Sequence, residues 1–285
     1  MLNESIAVIG TGTMGRGIAE TAAVQGFAVI AVEANLQQQE RAIEAITTSL
    51  TRGIRRGKIC VESPADVLAK IAWNASLESA AEASFVIEAA SEDEQIKTGI
   101  FLELDKITRP ETILASNTSS ISITRLGNAT KRADRVVGMH FFNPVPIMEP
   151  VEVVRGLETS EETIAATCAL GERLGKQVFA VADSPGFVVN RVLLPLINEA
   201  VFALHEGVAD AQTIDSLTKL GCNHPMGPLQ LADLVGLDVC LSILRVLHRE
   251  LGDPKFRPCP LLVRMVDGGR LGRKSGRGFY TYETP

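Results

Sequence analysis

Several features that mark other classes of protein are missing from this 285-residue chain. Its five cysteines are odd in number and lack CxxC spacing, so we expect reduced thiols and neither a disulfide framework nor a metal site. No apolar run reaches the roughly 18 residues that a membrane-spanning helix needs. The net charge is −6 and no long basic block occurs, which argues against nucleic acid or an anionic membrane as a partner.

The N-terminus leaves little space for a targeting segment. The first predicted strand begins at residue 5, so we expect neither a signal peptide nor a transit peptide, and a cytoplasmic location. No internal repeat or low-complexity segment is visible. A chain of 285 residues is long enough for two domains, or for one large domain, with a substantial buried core.

Short apolar segments rich in β-branched residues alternate with helical patterns through the first part of the chain. The predicted strands cover residues 5–10, 27–32, 85–87, 113–115, 135–139 and 150–154. The predicted helices cover residues 13–25, 36–56, 93–108 and 122–127. This alternation predicts an α/β fold of the Rossmann type, with a doubly wound and mainly parallel sheet.

The pattern changes near residues 182–186. Ser184 is suited to cap a helix, and Pro185 to occupy its first turn, where the missing N–H has no cost. Helical periodicity then continues from Phe187 to the end. We therefore assign residues 1–183 to a Rossmann-type domain and residues 184–285 to an all-helical C-terminal domain.

Glycines at the end of the first strand predict a dinucleotide site. Gly10, Gly12 and Gly15 form a GxGxxG motif directly after a strand and at the start of a helix, with Thr13 and Met14 completing the loop. The first glycine permits a tight turn, the second lets the backbone approach a pyrophosphate, and the third permits close helix–strand packing. The N–H groups at the start of the helix are then available to the phosphates.

An acidic residue at the end of the second strand indicates which dinucleotide binds. Glu33 follows the glycines by about twenty residues, the distance at which a carboxylate accepts hydrogen bonds from ribose hydroxyls. The same carboxylate repels a 2′-phosphate, and no arginine stands beside it. We therefore expect NAD rather than NADP. The alternative is a glutamate that is simply solvated at a strand end.

Polar residues between positions 116 and 152 suggest the chemistry. A hydride can leave an alcohol carbon only if the hydroxyl proton also leaves, and histidine is the side chain that titrates near neutral pH. His140 ends a predicted strand, where α/β proteins place ligand contacts, although such a histidine alone is more often structural than catalytic. Glu152 on the next strand could orient it. Their spacing does not show that they meet.

Seven motifs together resemble the L-3-hydroxyacyl-CoA dehydrogenase family, in its monofunctional 3-hydroxybutyryl-CoA type. They are GTGTMGRGIA (10–19), SNTSSISI (116–123), HFFNPVP (140–146), VEVV (151–154), DSPGFVVNR (183–191), HPMGPLQLADLVGLD (224–238) and GRKSGRGFY (272–280). The resemblance implies reversible, NAD-dependent oxidation of (S)-3-hydroxyacyl-CoA. It also implies a homodimer through the C-terminal domain, which would cover the acyl-CoA cleft, and an active site between the two domains.

The resemblance also assigns roles to residues. It makes His140 the general base with Glu152 as its partner, and it makes Ser119 and Asn190 the groups that polarise the substrate. Further substrate contacts are expected from Asn143, Arg52, Arg55, Arg56 and Lys58. Further cofactor contacts are expected from Ser119, Asn143, Glu92, Lys97 and Lys274.

Several of these residues have simpler interpretations. Asn190 falls in the apolar stripe of a helix, where its amide could bond a backbone carbonyl instead of a ligand. Ser119 lies in a turn where serines usually act as caps, although Ser120 or Ser122 could fill that role. Residues 52–58 could be a solvated helix end. For the whole chain, the alternatives are a dehydrogenase of a non-CoA hydroxy acid such as gulonate and a crystallin-like structural protein.

Overall fold

The computed structural model describes residues 5–283 and divides the chain into two units. The first unit ends at Ser184 and the second begins at Pro185. Among residues 5–283, no helix has both the length and the apolar character needed to cross a bilayer.

A single eight-stranded sheet forms the centre of the first unit. Its strands are β1 (Ser5–Ile9), β2 (Ala28–Val32), β3 (Ile71–Asn74), β4 (Phe85–Glu88), β5 (Ile113–Ser116), β6 (Val136–Phe141), β7 (Pro150–Arg155) and β8 (Gln177–Ala182). They lie in the order β3-β2-β1-β4-β5-β6-β7-β8, and each neighbouring pair is parallel except β6 and β7. The predicted α/β fold with a mainly parallel sheet is confirmed.

Helices connect these strands and form the second unit. Those of the first unit are α1 (Thr13–Val24), α2 (Leu36–Arg55), α3 (Pro64–Leu68), α4 (Glu94–Ile107), α5 (Ile123–Asn128) and α6 (Glu161–Arg173). Those of the second are α7 (Val189–His205), α8 (Ala211–Gly221), α9 (Pro228–Val235), α10 (Leu237–Leu251) and α11 (Pro260–Asp267). The helical character predicted beyond Phe187 is therefore confirmed.

The two edge strands, β3 and β8, are absent from the sequence-based prediction. β3 has only four residues and ends on an asparagine, so it carries no strong strand pattern. β8 is a short apolar segment whose residues are mostly exposed or half-buried, and periodicity alone cannot tell such a segment from part of a helix. Edge strands lack a neighbour on one side, which weakens the pattern that identifies a strand.

The strand order places the cofactor loop at a natural binding position. β1 lies between β2 and β4, so the connections leaving β1 and β4 diverge to opposite sides of the sheet. Ligands of α/β proteins bind in the crevice that this divergence opens at the carboxyl ends of the strands. Helix α1 lies close to the sheet because its inner face consists of small residues, including Gly15, Ala19 and Ala22.

The second unit has its own apolar core. Helices α7, α9, α10 and α11 supply side chains to it, including Ile197, Leu229, Leu244 and Leu262. The segment after α11 is fixed by Asp233, whose carboxylate accepts hydrogen bonds from the backbone N–H groups of Phe279 and Tyr280, each at 3.0 Å.

Candidate active site

The glycine-rich loop has the shape that a dinucleotide requires. Gly10 has a φ of +87°, and a Cβ there would lie 2.9 Å from the backbone of Ala90. A Cβ on Gly15 would overlap the carbonyl oxygen of Gly10. A Cβ on Gly12, by contrast, would meet nothing within 4 Å. The first and third glycines are thus required by packing, and the second leaves open space beside the backbone where a pyrophosphate fits.

The N-terminus of α1 adds donors for the phosphates. The helix begins at Thr13, and its N-cap is Gly12, which has no side chain that could cap the first N–H groups. Its first turn contains no acidic residue. The unpaired N–H groups and the positive end of the helix dipole favour an anion at this position. Thr13 is exposed and Met14 is half-buried, so both lie at the rim of the loop.

Glu33 binds the glycine-rich loop from the end of β2. Its Oε2 accepts hydrogen bonds from the backbone N of Thr11 at 3.0 Å and from Thr11 Oγ1 at 3.2 Å, while Oε1 accepts one from the N of Asn35 at 3.1 Å. The side chain of Gln38 donates to the carbonyl of Thr11 at 3.1 Å. A shallow depression of the surface is lined by residues 34–37, which follow Glu33 in the chain. The carboxylate is therefore held against the glycine-rich loop at the end of β2.

His140 and Glu152 form a buried hydrogen-bonded pair. They stand opposite each other on the antiparallel strands β6 and β7, and His140 Nδ1 lies 2.7 Å from Glu152 Oε2. Both side chains are buried. An ionised carboxylate can only accept, so this contact places the proton on Nδ1 and makes Nε2 the basic nitrogen. His140 and Glu152 are therefore in direct contact, which their spacing in the sequence could not show.

The loop between these two strands carries Asn143. Asn143 is exposed, whereas Val145 is buried and packs on α1, where a Cβ on Gly17 would lie 3.0 Å from the Cβ of Val145. On the other side, Lys176 Nζ donates to the carbonyls of Val145 and of Met148, the latter at 2.9 Å. The position of Asn143 is thus set by contacts on both sides of its loop.

Ser119 lies in the loop that follows β5 and is bound by Glu92. Glu92 Oε1 accepts hydrogen bonds from the Ser119 backbone N at 2.8 Å, from Ser119 Oγ at 3.0 Å and from Thr118 Oγ1 at 2.7 Å. Burial opposes ionisation, but the pKa of Glu92 is nevertheless lowered, because Lys97 and these hydrogen bonds favour the carboxylate. Ser122 caps α5 by accepting from the N of Arg125 at 3.2 Å. The capping role therefore falls to Ser122.

Two residues of this region are missing from the sequence-based prediction. Asn117 Oδ1 accepts a hydrogen bond from the backbone N of Phe141 at 3.0 Å, which ties the Ser119 loop to the strand end that carries His140. Glu88, the last residue of β4, is buried and ion-paired with Lys97 at 2.7 Å. A glutamate that ends an apolar strand was the available signal, since such a carboxylate needs a partner when it is buried.

The remaining predicted residues lie apart from these contacts. Arg52, Arg55, Arg56 and Lys58 are all exposed around the C-terminal end of α2.

Two further predicted residues belong to the second unit. Asn190 lies half-buried in the first turn of α7. Lys274 lies in a short 3-10 turn and forms an ion pair of 2.6 Å with Asp238.

Comparison with known families matches both units. Residues 5–184 match the 3-hydroxyacyl-CoA dehydrogenase NAD binding domain, and residues 186–282 match the 3-hydroxyacyl-CoA dehydrogenase C-terminal domain. The two matches together take in nearly all of the residues that the structure describes.

Individual proteins are similar over the full length. A probable 3-hydroxybutyryl-CoA dehydrogenase of Bacillus subtilis (strain 168) is 52% identical over 280 residues, covering 98% of each chain. A 3-hydroxybutyryl-CoA dehydrogenase of Bradyrhizobium diazoefficiens is 48% identical and covers 98% of this chain and 95% of that one. The crystal structure of an (S)-3-hydroxybutyryl-CoA dehydrogenase from Ralstonia eutropha has a TM-score of 0.94 at 48% identity, covering 98% of this chain and 99% of that one.

Proposed function

This chain belongs to the 3-hydroxyacyl-CoA dehydrogenase family, whose NAD-binding domain it contains, and from that premise we propose that it interconverts (S)-3-hydroxybutyryl-CoA and acetoacetyl-CoA. The preference for a short acyl chain is supported by relatives at 52% and 48% identity, both of which are named 3-hydroxybutyryl-CoA dehydrogenases. The observation that carries the proposal is the 2.7 Å contact between His140 and Glu152.

The proposed base is Nε2 of His140. Because Glu152 accepts a hydrogen bond from Nδ1–H, the imidazole presents its basic nitrogen to the substrate and can take the proton of the 3-hydroxyl group. The carboxylate of Glu152 then offsets the positive charge that forms on the ring. In the reverse direction, the same imidazolium returns the proton to the 3-oxo oxygen. The buried position of both side chains strengthens this interaction, since water does not screen it.

The residues that would hold NAD fit its parts. The open space at Gly12 and the start of α1 suit the pyrophosphate, and Glu33 suits the adenosine ribose. Bound NAD supplies the hydride acceptor. Ser119 and Asn190 are proposed to orient the substrate so that its oxygen faces the base. Holding the reactants in one geometry accounts for much of the rate that such a site can supply.

Substrate turnover tests this function directly. Purified protein is mixed with acetoacetyl-CoA and NADH, and the loss of NADH absorbance is followed, with NADPH in a parallel reaction. We expect rapid oxidation of NADH and a lower kcat/KM for NADPH, because we assign Glu33 to the adenosine ribose, where its carboxylate would repel a 2′-phosphate. A series of longer 3-oxoacyl-CoA substrates then measures the chain-length preference. Turnover of a non-CoA hydroxy acid such as gulonate in preference to acetoacetyl-CoA would contradict the proposed substrate.

We also propose that the protein is a homodimer that associates through its second unit. Helix α8 supports this, because Leu217 and Leu220 lie three residues apart on one face and are 64% and 85% exposed. Large apolar side chains grouped on a surface mark association sites more often than isolated ones do.

The five free cysteines suit a reducing compartment, and we propose that the enzyme acts in the cytoplasm.

A further inference from the structure

A buried ion pair lies beneath the Ser119 loop and has no part in the mechanism described above. Glu88 ends β4, where it pairs with Ile9 of β1 and Ser116 of β5, and it is 0% exposed. Lys97 lies on α4 and is 1% exposed. A buried charge is costly unless it is paired and hydrogen-bonded, so the local structure must satisfy both groups.

The ammonium group of Lys97 makes two hydrogen bonds and one longer ion pair within the protein. Its Nζ lies 2.7 Å from Glu88 Oε1 and 3.3 Å from the carbonyl of Ala90, and 3.5 Å from Glu92 Oε2. A lysine has only three N–H donors. Lys97 therefore links the carboxylates of Glu88 and Glu92 inside the protein.

The carboxylate of Glu88 is connected to the Ser119 loop in two ways. Through Oε1 it holds Lys97, whose other carboxylate partner, Glu92, accepts from both the backbone N and the hydroxyl of Ser119. Through Oε2 it accepts from Ser116 Oγ at 2.6 Å, and Ser116 Oγ in turn accepts from the backbone N of Thr118 at 3.2 Å. Both routes end in the same loop.

These contacts determine what happens when the charge on Glu88 is removed. Lys97 would then have Glu92 as its one carboxylate partner and would draw that side chain towards itself. Glu92 Oε1 accepts hydrogen bonds from both the backbone N and the hydroxyl of Ser119. This movement would therefore break the hydrogen bond that orients the hydroxyl. A misplacement of about 1 Å in a group that orients a substrate can cost as much as a hundredfold in rate.

We propose that Glu88 is a positioning residue that fixes the hydroxyl of Ser119 through Lys97 and Glu92. In this arrangement Lys97 connects the carboxylate of Glu88 to that of Glu92. The inference rests on the proposed function, in which Ser119 orients the substrate.

The test uses Glu88→Gln, which keeps the shape of the side chain and removes its charge. We expect kcat with acetoacetyl-CoA to fall about 10- to 100-fold, while the Kd for NADH, measured by fluorescence titration, changes less than about threefold. The double variant E88Q/S119A should be no slower than S119A alone, because both changes act through one hydroxyl. The proposal would be overturned if the loss of kcat in the double variant equalled the product of the losses in the two single variants. An unchanged kcat in E88Q would overturn it as well. So would K97M if it weakened NADH binding and left kcat intact.

A matched control separates positioning from general destabilisation. Asp105→Asn removes a carboxylate from another largely buried ion pair, with Arg132 at 2.8 Å, outside the site. It should lower the Tm but leave kcat unchanged. Should E88Q fail to fold because Lys97 is left without Glu88, the double variant E88Q/K97M removes both charges of the buried ion pair. It is expected to show the same loss of kcat.

Hydrogen exchange gives a readout that does not depend on turnover. In the protein without ligands, the amides of residues 116–121 should exchange faster in E88Q than in wild type or D105N, since the Thr118 and Ser119 N–H groups lose well-placed acceptors. Equal exchange in all three proteins would overturn the positioning role. If the wild type does not reduce acetoacetyl-CoA, the proposed function fails, and exchange still decides the role of Glu88.

Discussion

A histidine as enclosed as His140 needs a partner for the ring nitrogen that faces the protein. Glu152 supplies it from the neighbouring strand, at the position directly opposite in the antiparallel register. Opposite residues in such a pair bring their Cβ atoms to about 5 Å, a distance that the two side chains can bridge. The backbone ladder, and not a flexible loop, therefore sets the orientation of the proposed base.

Replacing the base tests its role at the residue scale. His140→Gln should lose about 10²- to 10⁴-fold in kcat, because Gln cannot accept the hydroxyl proton. NADH binding, measured by fluorescence, should remain normal, since the glycine-rich loop and Glu33 are untouched. Glu152→Gln should also reduce kcat strongly, because a neutral amide neither fixes the Nδ1 proton nor offsets the imidazolium charge. A kcat near that of wild type in H140Q would refute the assignment.

A second buried carboxylate predicts how stability changes with pH. Burial raises the pKa of Glu20 on α1 from 4.5 to about 7, although the hydrogen bond from Ser49 and the charge of Arg16 oppose the shift. The folded protein therefore keeps a proton that the unfolded chain releases at lower pH. The free energy of unfolding should fall as the pH rises from 4.5 to 7 and stay lower above that range.

Glu20→Gln removes this titration. We expect the variant to be more stable than wild type at pH 8, by on the order of 1–3 kcal/mol, with a smaller difference near pH 5. Urea unfolding at both pH values measures the effect. Glu44→Gln, which changes an exposed carboxylate on α2, serves as the control and should show no such dependence. An equal change in both variants would mean that burial of Glu20 is not the cause.

At the scale of elements, Lys176 joins the start of β8 to the loop that carries Asn143. Its Nζ binds the carbonyls of Val145 and Met148, and burial lowers its pKa. Lys176→Met should cost about 1.5–2 kcal/mol of stability, the lower part of the range for hydrogen bonds to charged groups, because the side chain is only half-buried. We expect KM for acetoacetyl-CoA to rise more than kcat falls, since Asn143 is a proposed ligand contact.

A matched lysine provides the comparison for that variant. Lys70 Nζ donates to the carbonyl of Ala23 at 3.3 Å, away from the loop. Lys70→Met should therefore affect the Tm without changing KM. Steady-state kinetics and thermal unfolding of both variants decide the matter, and an equal rise of KM in the two would argue against a role for the loop.

Local patterns and long-range contacts differed in how far the sequence could predict them. The glycine-rich loop was predictable because its strand, turn and helix are consecutive, so the spacing of Gly10, Gly12 and Gly15 carries the structure. Spacing did not predict the contact between His140 and Glu152, because it depends on the register of two strands; only the resemblance to a known family paired them. Glu88 was missed for the same reason, since its partners Lys97 and Ser116 come from other elements.

At the scale of the whole molecule, the chain contains two units with separate cores, and the second exposes apolar residues of α8. A monomer would leave Leu217 and Leu220 in water at 64% and 85% exposure. Each leucine that moves from water into an interface contributes about 1.5–3 kcal/mol, so removing two of them should affect association strongly. Substitution of Leu217 and Leu220 therefore tests whether α8 forms the interface of the proposed dimer.

The double variant Leu217→Asp/Leu220→Asp should convert the proposed dimer into a monomer, because two charges would have to be buried without partners. Light scattering after size exclusion measures the mass, and circular dichroism checks that the helices remain. Leu157→Asp, at a residue 79% exposed in the first unit, is the matched control and should leave the mass unchanged. A wild type that is monomeric at micromolar concentration would contradict the dimer, and a double variant that stays dimeric would place the interface elsewhere.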